Sequence, residues 1–153
     1  MADSYSQIYI HIVMVVKHRK AQIDHSWEEE LYKYITGIVQ KMGHKMLAIN
    51  GMPDHIHIFI NFKPEHSLSS LVREIKKSSN SFINGQRFTP RRFYWQSGYG
   101  AFSYSISQIS NVIRYIERQK IRHRKQETKV EYLELLDRYG VDYHAQRLFD
   151  WMD

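Results

Sequence analysis

Met52-Pro53-Asp54-His55-Ile56-His57-Ile58-Phe59-Ile60 is the stretch on which the fold turns. Past the turn-forming Pro-Asp pair, isoleucine occupies every second position, and in a strand residues i and i+2 share a face. Ile56, Ile58 and Ile60 therefore enter a core, while His55 and His57 point together to the other side, about 7 Å apart at their Cα atoms. Immediately upstream, Lys45 to Asn50 reads as a second strand and Gly51-Met52-Pro53-Asp54 as a turn tetrapeptide. The pair Lys45–Asn50 and His55–Phe62 is thus predicted to be a hairpin, closed by Pro64.

Working outward, Ile8 to Val16 is β-branched and short enough for a buried strand. Ser26 reads as an N-cap before Trp27-Glu28-Glu29-Glu30, and Leu31, Tyr34, Ile35, Ile38, Val39 and Met42 follow at helical spacing until Gly43. Ser67 is the predicted cap of a second helix with the apolar line Leu68, Leu71, Val72 and Ile75, fading by Asn84-Gly85. Phe93 to Tyr104 reads as a fourth strand in which Gly98 and Gly100 signal a bulge or a close backbone approach. The order strand, helix, strand, strand, helix, strand is the split βαβ pattern of an α+β, ferredoxin-like sandwich. It predicts a four-stranded antiparallel sheet with helices on one face and the other face open. Two additional helices are expected, Ser107 to about Lys125 and Lys129 to Arg138, the latter ended by Gly140.

A length of 153 residues, 42% of them hydrophobic, fits one domain: a core over about residues 5–105, a helix over about 107–125 and a helical tail over about 128–153. The longest apolar stretch is far short of a membrane span, and the start lacks a signal-peptide pattern. With no cysteine, disulfides, thiol catalysis and thiolate metal sites are excluded. A cytoplasmic protein, nucleoid-associated when bound to DNA, is the expectation. Charge is unevenly spread: Arg73 to Lys125 holds twelve basic and two acidic residues, which points to a polyanionic partner rather than a merely solvated face. The end from Glu127 to Asp153 is acidic and is expected to face away from phosphates.

Two constellations bear chemistry. His-x-His on an exposed sheet face is a usable bite for a divalent metal, or simply two polar residues on a wet surface. In the helix from Ser107, Ile109, Val112, Ile113 and Ile116 form the buried stripe, and Tyr115 and Gln119 stack on its flank. Tyr115 is then either a packing residue with a wet hydroxyl or a nucleophile. His11, His18, His44 and His66 have no partner at ligand spacing and read as core-edge or surface residues. Asp54 is a turn residue that could also orient a metal-bound imidazole. Lys76, Lys77, Arg87, Arg91 and Arg92 are candidates to line a DNA groove, with Phe93, Tyr94 and Trp95 available for stacking on bases.

Met52-Pro53-Asp54-His55-Ile56-His57, Trp95-Gln96-Ser97-Gly98-Tyr99-Gly100-Ala101-Phe102-Ser103, and Tyr115-Ile116-Glu117-Arg118-Gln119 with His123-Arg124 carry a resemblance. With the first strand and Leu148-Phe149-Asp150-Trp151, they resemble, in order, the single-tyrosine transposases of the insertion sequence 200/605 (IS200-like) family, part of the HUH endonuclease group. The resemblance implies His55, His57 and Gln119 as ligands of Mg or Mn, and Tyr115 as the nucleophile that cleaves single-stranded DNA. It further implies a 5′-phosphotyrosine, a free 3′-hydroxyl, hairpin substrates at the ends of a mobile element, no nucleotide cofactor, and a homodimer with active sites in trans. Arg118, Arg122 and His123 fall where DNA contacts are expected.

Two positions depart from the family pattern. Arg122 stands where relatives often have the first of two histidines, and Ser103-Tyr104-Ser105-Ile106-Ser107 has no glycine hinge. The alternatives are a domesticated repeat-associated tyrosine transposase acting on dispersed palindromes, or a non-catalytic ferredoxin-like module that binds single-stranded nucleic acid.

Overall fold

The computed structural model describes residues 4–17, 22–122 and 128–143. Strands β1 (Tyr9–Val15), β2 (Lys45–Met52), β3 (His55–Asn61) and β4 (Gly100–Tyr104) form one antiparallel sheet in the order β2-β3-β1-β4. Helices α1 (Glu28–Lys41) and α2 (Leu68–Gln86) follow β1 and β3 and cover one face. The α+β sandwich expected from the element order is therefore present. Ile12, Met14 and Val16 of the β1 segment join Ile56, Ile58 and Ile60 of β3 in the core beneath these helices, as the alternation requires. At ~1.5–3 kcal/mol for each aliphatic side chain removed from water, this layer is the main source of stability.

Ser67 caps α2, its hydroxyl accepting from Ser70 N–H at 3.1 Å. At α1 the expected Ser26 cap is replaced by a preceding turn. Asp24 accepts from both the backbone and the hydroxyl of Ser26, and the helix starts after Trp27, whose ring is committed to the core. Gly43 leaves α1 at φ 94°, a conformation open to glycine at little steric cost. The fourth strand is shorter than expected. Residues before Gly98 make one bridge, Val16 to Trp95, and Gly98 at φ 82° ends that run before β4 begins.

The second face of the sheet is not open, contrary to expectation. Helix α3 (Ile109–Glu117) lays Val112 and Ile116 against Tyr9, Ala48 and Phe59. Helix α5 (Thr128–Arg138) lays Leu135 and Leu136 against Val13 and Phe102. Apart from the histidines, that face is largely apolar and aromatic, so leaving it in water would cost more than packing the extra helices onto it. The helix expected over 107–125 is also divided: a 3-10 turn at Ile106–Gln108 leads into α3, the helix breaks at Arg118, and α4 (Gln119–Arg122) resumes it. Among the described residues, no helix is long and apolar enough to cross a membrane.

Candidate active site

The site lies between the sheet and helices α3 to α5. His55 and His57 sit on β3, one of the two central strands, with side chains fully buried, because α3 to α5 close over them. Their rings are 5.0 Å apart, centroid to centroid. Both Nε2 atoms face one carboxylate oxygen, Oε1 of Glu131 on α5, at 3.3 Å from His55 and 3.1 Å from His57. Gln119 Oε1 lies 3.3 Å from His55 Nε2. The Gln119 amide nitrogen donates to Glu131 Oε2 at 3.2 Å. Tyr115 O–H donates to the same Oε2 by a short bond, and its ring meets that of His57 edge-on at 5.6 Å.

Each imidazole is also held from behind. Asp54 Oδ1 is 2.7 Å from His55 Nδ1, and Thr128 Oγ1, at the start of α5, donates to both Asp54 oxygens at 3.0 and 2.9 Å. His57 Nδ1 is 2.7 Å from Nε2 of His11 on β1. Burial, with His57 alongside, keeps His11 well below the usual histidine range, so it serves as a neutral partner. At His55, burial opposes the charged form, but the bonds to Asp54 and Glu131 outweigh it and raise the group to about 9.

The donor set fits a divalent cation. An N–H at Nδ1 of His55 satisfies Asp54, and one at Nδ1 of His57 satisfies His11, which turns both Nε2 lone pairs toward Glu131 and Gln119. Four acceptor atoms then converge, and those of His55, His57 and Glu131 all lie within 4.8 Å of one another. Such a group is stable when both rings are protonated or when a cation is shared. Imidazole nitrogen with carboxylate and amide oxygen suits Mn and also Mg.

The tyrosine helix is fixed from β2. The Asn50 side-chain amide donates to the carbonyls of Ile116 at 3.0 Å and Glu117 at 3.2 Å, in the last turn of α3. Lys120 of α4 donates to Glu28 at 2.9 Å, to Asn50 Oδ1 at 3.3 Å and to the Gly51 carbonyl. Gly51 is required there: a Cβ would lie 2.2 Å from the His55 carbonyl oxygen.

Of the residues expected from sequence, His55, His57, Tyr115, Gln119 and Asp54 are brought together. Glu131, His11, Thr128 and Asn50 were missed. Glu131 corrects the expectation that the acidic end faces away; it lies one turn before Leu135 on the buried side of α5, and an acid in that line was the available signal. His11 alternates with Ile10 and Ile12 in a buried strand, yet its partner His57 is remote in sequence. Lys76 is not a free groove residue: its ammonium donates to the carbonyls of Gln96, at 2.8 Å, and Gly98. Lys77 and Arg87 are exposed on or at the end of α2, across the sheet from the imidazoles. Arg91, Arg92 and Arg118 are exposed, Arg118 at the break beside the site. Phe93 and Trp95 are buried in the core, so stacking on bases is closed to them. The side chain of Arg122, and His18, His123 and residues 148–151, lie outside what the structure describes.

Comparisons with known proteins bear on the family and the fold. The ISDra2 transposase TnpA of Deinococcus radiodurans is 21% identical over 118 residues, covering 74% of this chain and 84% of that protein. The crystal structure of a protein described as a transposase from Deinococcus radiodurans R1 superposes with a TM-score of 0.60 at 20% identity, covering 78% of this chain and 96% of the other. A REP-associated tyrosine transposase bound to a REP hairpin gives a TM-score of 0.60 at 17% identity, covering 80% and 73%. The family described as "Transposase IS200 like" matches residues 4–119. A chain so matched over most of its length, with two imidazoles and a phenol gathered on one carboxylate, belongs to the IS200-like transposase family.

Proposed function

We propose that this chain cleaves and rejoins single-stranded DNA at the hairpin-bearing ends of a mobile element, with Tyr115 as nucleophile and His55, His57, Gln119 and Glu131 holding a divalent Mg or Mn ion. The observation that carries this reading is the convergence of the Tyr115 phenol and both imidazoles on Glu131 within a single chain.

A divalent ion in that cradle would polarise the scissile phosphate and offset charge on the leaving oxygen. The chain supplies the rest. Tyr115 forms the new phosphorus–oxygen bond as the bond to the 3′-oxygen breaks, leaving a 5′-phosphotyrosine and a 3′-hydroxyl. One ester is exchanged for another, so no nucleotide triphosphate is consumed. Glu131 Oε2 receives the phenol's hydrogen bond and stands where its proton goes as the oxygen attacks. Asp54 and His11 fix the two rings, and the buried setting limits water as a competing nucleophile.

The test is covalent capture. Labelled single-stranded DNA from the flanks of the chain's own gene, incubated with Mn or Mg, should give a protein–DNA adduct on a denaturing gel. Tyr115→Phe should abolish the adduct and leave binding intact, and the double change His55→Ala, His57→Ala should remove metal-dependent cleavage. An adduct formed by Tyr115→Phe would reject the nucleophile.

The contacts that complete the site lie in one chain, which favours action in cis over the trans dimer implied by the resemblance. Mixing the Tyr115→Phe chain with the His55→Ala, His57→Ala chain should therefore leave cleavage unrestored. Restoration would establish exchange of tyrosine helices between subunits.

A further inference from the structure

Helix α4 is a single turn, separated from α3 by the break at Arg118. One turn fixes several dihedral angles for very few internal hydrogen bonds, so its orientation comes from tertiary contacts. Its first residue, Gln119, is fully buried. The Gln119 amide nitrogen donates to Glu131 at 3.2 Å and to the Tyr115 carbonyl at 3.5 Å, which leaves Oε1 aimed at His55. Those bonds orient the amide. The residue that ties the backbone behind it to the sheet is the next one, Lys120.

The Lys120 ammonium meets three acceptors from two elements. Gly51 offers its carbonyl and Asn50 its Oδ1, both on the edge strand β2, and Glu28, the first residue of α1, offers Oε2 at 2.9 Å. Since α1 covers the opposite face of the sheet, this side chain crosses the edge from one helical layer to the other. Glu28 is itself held: Tyr32 O–H donates to the same Oε2 at 3.2 Å. Burial, with Glu28 alongside, pushes the Tyr32 phenol up, so it stays a donor, and its ring is packed in the core. Tyr32, Glu28 and Lys120 thus form a strut that ends one residue from Gln119. Asn50 clamps α3, whereas this strut acts on the turn beyond the break. Because the ammonium is partly exposed, the strut adds little to the stability of the whole chain. Its consequence is local, in where Gln119 sits.

We propose that Lys120, seated on Glu28, is a positioning residue for the divalent cation: it fixes the turn that carries Gln119 and so holds Gln119 Oε1 in the cradle of His55, His57 and Glu131. The inference rests on the metal reading of the site given above and adds to it a support that reaches the cradle from α1. It also fixes the sign of the effect. A cation near a metal site repels the ion, so if charge alone mattered, removing Lys120 would tighten binding. Removing the support of a ligand loosens it.

The test is Mn binding by the whole chain, read from the electron paramagnetic resonance of free Mn, in a set of mutant cycles. Lys120→Met keeps the stem without the charge and should weaken Mn binding about 3- to 10-fold, less than the ~10- to 100-fold typical of a group bonded directly to a ligand. Glu28→Gln should act in the same direction, and adding it to Lys120→Met should cost nothing further, since both changes break one strut. In a Gln119→Ala background, Lys120→Met should have no effect on Mn binding. Tighter binding by Lys120→Met, additive losses with Glu28→Gln, or a loss that persists without Gln119 each overturn the assignment, the last because it marks a general loosening of the fold. If Gln119→Ala removes Mn binding altogether, the Glu28 comparison decides alone. A wild type that binds no Mn rejects the metal reading together with the strut. A wild type that binds Mn no better than Lys120→Met rejects the strut alone.

Discussion

Asn50→Ala isolates what keeps the helix of Tyr115 in place. Its amide donates to the Ile116 and Glu117 carbonyls, groups that a helix end leaves without an internal partner, and its oxygen receives Lys120. At ~0.5–1.5 kcal/mol net for each hydrogen bond, the two to α3 together contribute ~2 kcal/mol. The Lys120 bond adds little, since that ammonium is partly exposed and screened. The apolar seat of Val112 and Ile116 survives the change, so α3 still docks but opens more readily. A loss of ~2 kcal/mol corresponds to about 30-fold more opening. Hydrogen exchange read by mass spectrometry should therefore speed up by that factor in peptides from α3 and α4, with β1 and β3 unchanged. Asn50→Asp is the sharper variant. It keeps an acceptor for Lys120, removes both donors and sets a negative charge at the carbonyl end of a helix, where cations are favoured. It should be at least as damaging as alanine. Wild-type exchange in Asn50→Asp, or acceleration spread evenly over the sheet, would refute the clamp.

Glu131→Gln keeps the shape of the cradle but removes its charge. Mn affinity by titration calorimetry should fall by tenfold or more, as for other changes around a metal site. The wild type at about 100 times its Kd should gain ~2.7 kcal/mol of stability from the ion, and unchanged affinity in the variant would remove Glu131 from the ligand set. Gly51→Ala would force a Cβ to 2.2 Å from the His55 carbonyl oxygen, and overpacking against backbone should cost at least ~3 kcal/mol. Gly37→Ala in the middle of α1 meets nothing within 4 Å and should stabilise by ~0.5–1 kcal/mol. Urea midpoints that fail to separate these two glycines would contradict the hairpin geometry.

Alternation and capping made the core legible from sequence. Ile56, Ile58 and Ile60 could face only one way once His55 and His57 faced the other, and Ser67 could be read as a cap from the pattern after it. The same local logic found Tyr115 and Gln119, four apart on one flank. It failed where a residue's role depends on a distant partner: His11 and His57 are 46 residues apart and Glu131 and His57 are 74 apart. It failed also for the covered face, because the stripe of α3 was visible but not the surface that received it. The helix break at Arg118 has no proline or glycine to announce it; the nearby clamp of Asn50 and Lys120 comes from tertiary contacts.

The acidic tail and the basic middle meet at the site, and their opposition bears on how a phosphate could enter. Glu131 is 2% exposed and Asp54 stands behind His55, so an arriving phosphodiester encounters buried negative charge. At about 4 Å and an effective dielectric of ~20, two like charges repel by ~4 kcal/mol, enough to exclude the substrate at ordinary concentrations. Protonated imidazoles would relieve that repulsion, but they leave no lone pair to bind a metal. A divalent ion shared by the same donors relieves it more fully and leaves both rings neutral. Arg118, exposed at the break between α3 and α4, would then stand beside a site with little residual negative charge. On the proposed function, the carboxylate of Glu131 would make the ion necessary, and a phosphodiester would be held at this point only after the ion had bound.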